Sequence, residues 1–121
     1  MTDGTPARDD QPSLHHPVTP EPDLLRAATS TFAMLADPTR LHMLWLLTNG
    51  EADVTALTDA VGASRTAVSQ HLAKLRFTGL VDTRKDGRRV IYRIRDGHLN
   101  RLITEALNHA DHQVTGEPGH S

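Results

Sequence analysis

Four residues toward the C-terminal end carry side chains suited to holding a divalent cation: Asp96, His98, His109 and His112. Imidazole nitrogen with carboxylate oxygen is a donor set for Zn(II), Co(II) or Ni(II). They lie where Leu99, Leu102, Ile103, Ala106, Leu107 and Ala110 recur at helical spacing, so one helix after Asp96-Gly97 carries all four. His98 and His109 stand 11 residues apart, about 16 Å of helical rise, whereas each ligand of one metal lies about 2 Å from it. One straight helix cannot close that site. Eleven residues is nearly a whole number of turns, so both histidines face the same way, with Leu102 and Glu105. Antiparallel pairing with a second copy brings Asp96 and His98 of one chain to His109 and His112 of the other. A two-fold axis then generates two equivalent sites. Taken singly, each residue has a plainer role: Asp96 as a helix N-cap, Glu105 as a solvated charge, each histidine as a surface side chain.

The four donors satisfy tetrahedral zinc. Six-coordinate nickel or cobalt needs two more, and His15, His16 and His120 are available near the termini. His42 sits among apolar residues and reads as structural.

A second group has the chemistry of base and phosphate recognition. Ser64, Arg65, Thr66, Ser69, Gln70 and His71 open a helix that runs to about Thr78 with Val68, Leu72 and Leu75 facing inward. Arginine can fork onto guanine, glutamine can pair with adenine, and hydroxyls can meet bases or phosphates. Lys74 and Arg76, further along, suit phosphate. Arg84, Lys85, Arg88 and Arg89 follow at a hairpin tip and suit backbone or minor-groove contact. Between Ser64 and Arg95 there are nine basic side chains against two acids, a local balance of +7 in a chain of net charge −2. That stretch is an electrostatic footprint for nucleic acid.

The elements that must position these residues follow from the apolar pattern. Residues 1–22 hold five of the seven prolines and read as a disordered arm. Helical periodicity begins near Asp23, a candidate N-cap, with Leu24, Leu25, Ala28, Phe32 and Leu35. Asp37-Pro38 restarts the chain as cap and first helical residue. A largely buried helix holds Leu41, Met43, Leu44, Leu46 and Leu47, stopped by Asn49-Gly50. Asp53 to Val61 forms a short helix and Gly62 a tight turn. After Gly79 the period becomes 2, with a hairpin turn at Asp86-Gly87. The expected architecture is mainly α with a small β-hairpin: a winged helix-turn-helix over 23–113, followed by a flexible tail over 114–121. One such reading head is short, so dimerisation over palindromic double-stranded DNA is expected.

The chain has no cysteine, which removes disulfides, thiolate metal sites and cysteine nucleophiles and fits a reducing, cytoplasmic setting. No apolar run approaches a membrane span, and Met1 to Pro22 lacks the pattern of a secretory signal. An enzyme using the His/Asp cluster would need a nucleophile or general base grouped with it, and none is.

These residues together resemble the ArsR/SmtB family of metal-responsive regulators, over about Leu24 to Gln113. The resemblance rests on Ala36-Asp37-Pro38-Thr39-Arg40-Leu41, on Val68-Ser69-Gln70-His71-Leu72 before Lys74-Leu75, on Gly79-Leu80-Val81, and on Gly87-Arg88 before Val90-Ile91-Tyr92. It implies a homodimer joined through its first and last helices. Asp96-Gly97-His98 and His109-Ala110-Asp111-His112 match the subgroup whose sensor site lies on the last helix. Glu51 to Leu57 lacks the cysteines of the subgroup that binds thiophilic metals. The resemblance further implies a repressor released from its operator by metal, and the terminal histidines favour nickel or cobalt slightly over zinc. The alternative is a winged-helix regulator without direct metal control, or one acting as an activator or with a partner protein.

Overall fold

Short polar side chains start four of the helices in a computed structural model of the chain, which describes residues 19–116. The Asp37 carboxylate accepts from the Arg40 amide at 3.0 Å, Asp53 from Ala56 at 2.9 Å, Ser64 from Ala67 at 3.1 Å and Asp96 from Leu99 at 2.9 Å. Each bond satisfies an amide that a helix start leaves without a partner. The elements in order are α1 (Pro22–Leu35), α2 (Pro38–Leu47), β1 (Ala52–Asp53), α3 (Val54–Val61), α4 (Arg65–Phe77), β2 (Val81–Asp86), β3 (Arg89–Ile94) and α5 (Gly97–Thr115).

The chain divides into two compact units, Met1–Ser30 and Thr31–Ser121. The described part of the first is chiefly the opening stretch of α1, where an Asp23–Arg26 ion pair spans one turn and Leu24 and Leu25 are exposed. Asp23 lies inside the first turn of α1, not at its cap as the sequence suggested, because the helix already begins at Pro22. That start suits proline, whose missing amide proton is not needed there.

In the second unit, Met43, Leu44 and Leu47 of α2, Leu57 of α3 and Val68, Leu72 and Leu75 of α4 form one core. Leu35, Leu80, Val81, Leu99 and Ile103 complete it, so the hairpin and α5 close over the helix-turn-helix. Phe32, part of the helical repeat that opens the domain, is exposed, and of the apolar residues of α1 only Leu35 is buried. His42, expected to be structural, is also exposed, since Met43, Leu44 and Leu47 take the buried face of α2.

The sheet is antiparallel with order β1-β3-β2. Strands β2 and β3 pair from Val81 opposite Ile94 to Asp86 opposite Arg89. Asp86 therefore ends the strand, and the two-residue turn is Gly87-Arg88, one position later than the Asp-Gly pair suggested. Gly87 has φ +65°, and among the described residues only glycines have positive φ, the pattern of a turn needing glycine at its first central position. Strand β1 pairs Ala52 with Tyr92 and Asp53 with Ile91. Helix α5 continues to Thr115, past the expected domain end at Gln113, and closes on Gly116 in the left-handed conformation.

Candidate nucleic-acid interface and metal-ligand helix

Gly62, at φ +72°, ends α3 in a left-handed cap whose amide donates to the Thr58 carbonyl. The chain then turns to Ser64 and starts α4. With Val68, Leu72 and Leu75 buried beneath it, α4 presents Arg65, Thr66, Ser69 and Gln70 outward. Arg65 donates from Nη1 to Thr55 Oγ1 at 3.0 Å, so α3 steers its guanidinium. Lys74 and Arg76 are exposed in the last turn, where cations complement the helix dipole. His71 differs from its neighbours. It is half-buried, with Nδ1 3.3 Å from Arg40 Nη1 and Nε2 3.9 Å from Asp37 Oδ2.

The wing tip is only partly free. Arg84 donates twice to Glu51 Oε1, at 3.1 and 2.8 Å. Arg89 donates from Nε to Asp53 at 2.9 Å and lies 3.7 Å from Asp86. Arg95 forks onto Asp82 at 3.0 and 2.8 Å. Lys85 and Arg88 are exposed and have no ion pair among the described residues. The side-chain bond from Arg84 holds the Glu51 carboxyl below its ordinary range, and the same pair raises Arg84. The Ala56 amide, then Arg89, lower Asp53. The Arg40 amide is the main cause of a lowered Asp37. Glu51, Asp53, Thr55 and Arg40 were not read from the sequence as site residues. Their partners are 10 to 36 positions away, and the sheet register, the α3–α4 corner and the packing of α2 against α4 bring them together.

Helix α5 is unbroken from Gly97 to Thr115. His98 and His109 therefore remain about 16 Å apart along one rod. Asp96 caps the helix with Oδ1. Arg101 Nη2 lies 3.0 Å from His98 Nδ1. A guanidinium only donates, so Nδ1 accepts here and Nε2 is the nitrogen left for another partner. His109 and His112 are exposed in the last two turns. Among the described residues of one chain, no group of three or more His, Asp or Glu side chains is close enough to hold a metal ion. The donors fit a divalent cation in chemistry and exposure, but only if two chains contribute. His15, His16 and His120 lie outside the described residues.

Comparison with known proteins places this architecture. The family model for bacterial regulatory proteins of the arsR family matches residues 37–83, from the cap of α2 into β2. The chain is 42% identical over 98 residues to the HTH-type transcriptional regulator KmtR of Mycobacterium tuberculosis, covering 81% of this chain and 75% of that relative. It is 35% identical over 94 residues to the HTH-type transcriptional repressor SmtB of the same species, covering 78% and 70%. Its fold superposes with a TM-score of 0.72 on a homodimeric winged helix-turn-helix DNA-binding domain from Mycobacterium bovis, at 33% identity over 82% of this chain and 92% of that one. No helix among the described residues is long and apolar enough to cross a membrane. The chain belongs to the ArsR family of bacterial regulatory proteins and is a winged helix-turn-helix transcriptional regulator rather than an enzyme.

Proposed function

We propose that the chain works as a cytoplasmic homodimer that binds a palindromic operator through α4 and the wing, and that Ni(II), Co(II) or Zn(II) held between the two α5 helices weakens that binding. The observation that carries this is the unbroken α5, which sets two histidines on one face at a separation no single metal can span. Asp96 and His98 of one chain and His109 and His112 of its partner would hold the ion, which supplies a coordinate cross-link between chains. Asp96 caps α5 with one oxygen and keeps the second for another partner. Leu24 and Leu25 in the first unit, and separately Phe32 in the second, are exposed apolar side chains left for a second copy. Ser64, Arg65, Thr66, Ser69 and Gln70 face the bases, Lys74 and Arg76 the phosphates, and Lys85 and Arg88 lead the wing.

A cation that binds one dimer geometry better than another shifts the population by its differential affinity, and operator affinity follows. Repression relieved by metal is the expected direction, and the relative SmtB is by name a repressor. Titrating the purified dimer on operator DNA with nickel, cobalt and zinc tests this. Alanine at both His98 and His109 should abolish any metal effect and leave metal-free operator binding intact. A metal response that survives the double substitution overturns the α5 site.

A further inference from the structure

His71 stands in the reading helix but does not face the way its neighbours do. Ser69 and Gln70 are exposed, whereas the His71 side chain keeps only 23% of its surface. Its ring points at the corner between α1 and α2. There Arg40 donates from Nε to the Met34 carbonyl of α1 at 2.9 Å and lies 3.3 Å from His71 Nδ1 through Nη1. The guanidinium has no acceptor, so Nδ1 must accept and the ring proton of neutral His71 sits on Nε2. That nitrogen looks toward Asp37 Oδ2 at 3.9 Å, and the same oxygen takes the Arg40 amide at 3.0 Å. One side chain, Arg40, thus ties the end of α1 to the middle of α4, and Asp37 keeps both it and the imidazole in register.

We propose that His71 is a positioning residue that makes no DNA contact: with Arg40 and Asp37 it forms a polar relay that fixes the reading helix against the end of α1 and transmits movement of α1 to operator affinity. This rests on α4 being the DNA-reading helix. The relay is separate from the α5 donors. It joins the reading head to the corner where α1 ends, the part of the second unit nearest in sequence to the apolar side chains proposed for dimerisation. Arginine suits the role because its fixed fork can serve two acceptors at once.

The test uses the full chain and an operator fragment. In the unsubstituted protein, nitrogen NMR should show the Nε2–H tautomer of His71, unchanged by operator. His71→Ala should lower operator affinity about tenfold, the scale of one hydrogen bond to a charged group, with the salt dependence unchanged. A lost phosphate contact would instead lower the salt slope by about 1. His71→Asn places an amide oxygen near the position of Nδ1 and should restore most of the affinity. His71→Ala combined with Arg40→Gln should be no weaker than Arg40→Gln alone, as expected for two residues acting as one unit. Ring signals that shift on operator binding, a changed salt slope, or single effects that multiply would each overturn the relay. Loss of binding in Gln70→Ala with none in His71→Ala overturns the relay and leaves the reading helix standing. No loss in either overturns both.

Discussion

Ser64 is the residue on which the reading helix starts, and its hydroxyl accepts from the Ala67 amide at 3.1 Å. Ser64→Ala should cost about 1 kcal/mol of stability, as loss of an N-cap does, measured by denaturant titration. Operator affinity should fall with it, because the same turn aims Arg65 and Thr66. The acids Asp37, Glu51 and Asp53 give a second prediction. All three have carboxyls held below their ordinary range in the folded chain. A lowered folded value means the ionised form is favoured by folding, so that contribution is present above the usual carboxylate range and is lost as pH falls through the lowered values. Melting temperature should therefore drop on acidification below about pH 4.5, where unperturbed carboxylates titrate. Glu51→Gln should flatten that drop while leaving the neutral-pH fold unchanged. The caps were legible in the sequence because Asp or Ser just before an apolar repeat has a local cause. The pairs Arg84–Glu51 and Arg89–Asp53 were not, since a basic run reads the same whether or not an acid from another strand answers it.

At the scale of elements, α4 is held from beneath by Val68, Leu72 and Leu75, each with no exposed surface. Leu72→Ala should destabilise the fold by about 2–5 kcal/mol through lost burial and a residual cavity, read from chemical unfolding. Binding should fail through unfolding, so operator affinity of the fraction still folded should be close to normal. The order of helices, the glycine turn and the hairpin were all readable from the change of period and its punctuation. Strand β1 was not, because two residues carry no periodicity and Asp53 reads as the start of the helix that follows. The hairpin turn was placed one residue early because Asp-Gly is a strong local signal. Pairing of Asp86 with Arg89 moves the glycine to the first turn position instead. The exposure of Leu24, Leu25 and Phe32 on α1 was not legible from their spacing alone. Periodicity shows that a helix has an apolar side and does not show which chain covers it.

For the whole molecule, the proposed site needs donors from two chains, and this has a sharp test. A protein carrying His98→Ala and one carrying His109→Ala should each lose the metal response. Hybrid dimers of the two retain one site in which His98 and His109 are both present, and one in which both are missing. Mixing after unfolding and refolding should restore metal binding at half the normal stoichiometry in the hybrid, measured by titration calorimetry. Full loss in the hybrid would place both histidines on the same chain's site. The proposed donor set comes from the sequence alone, because its spacing on one helix rules out the simpler arrangement. The environment of His98 was not, since Arg101 reaches its Nδ1 only once the helix exists.

The unbroken length of α5 has a consequence for how a cell would use such a protein. If two chains must meet before an ion can be held, the response threshold depends on copy number as well as on metal. Below the concentration at which subunits pair there is no sensor at all, only protomers with separated histidines. A regulator that represses its own gene would then set its own detection limit, and raising expression from a plasmid should shift the metal dose at which reporter output turns on.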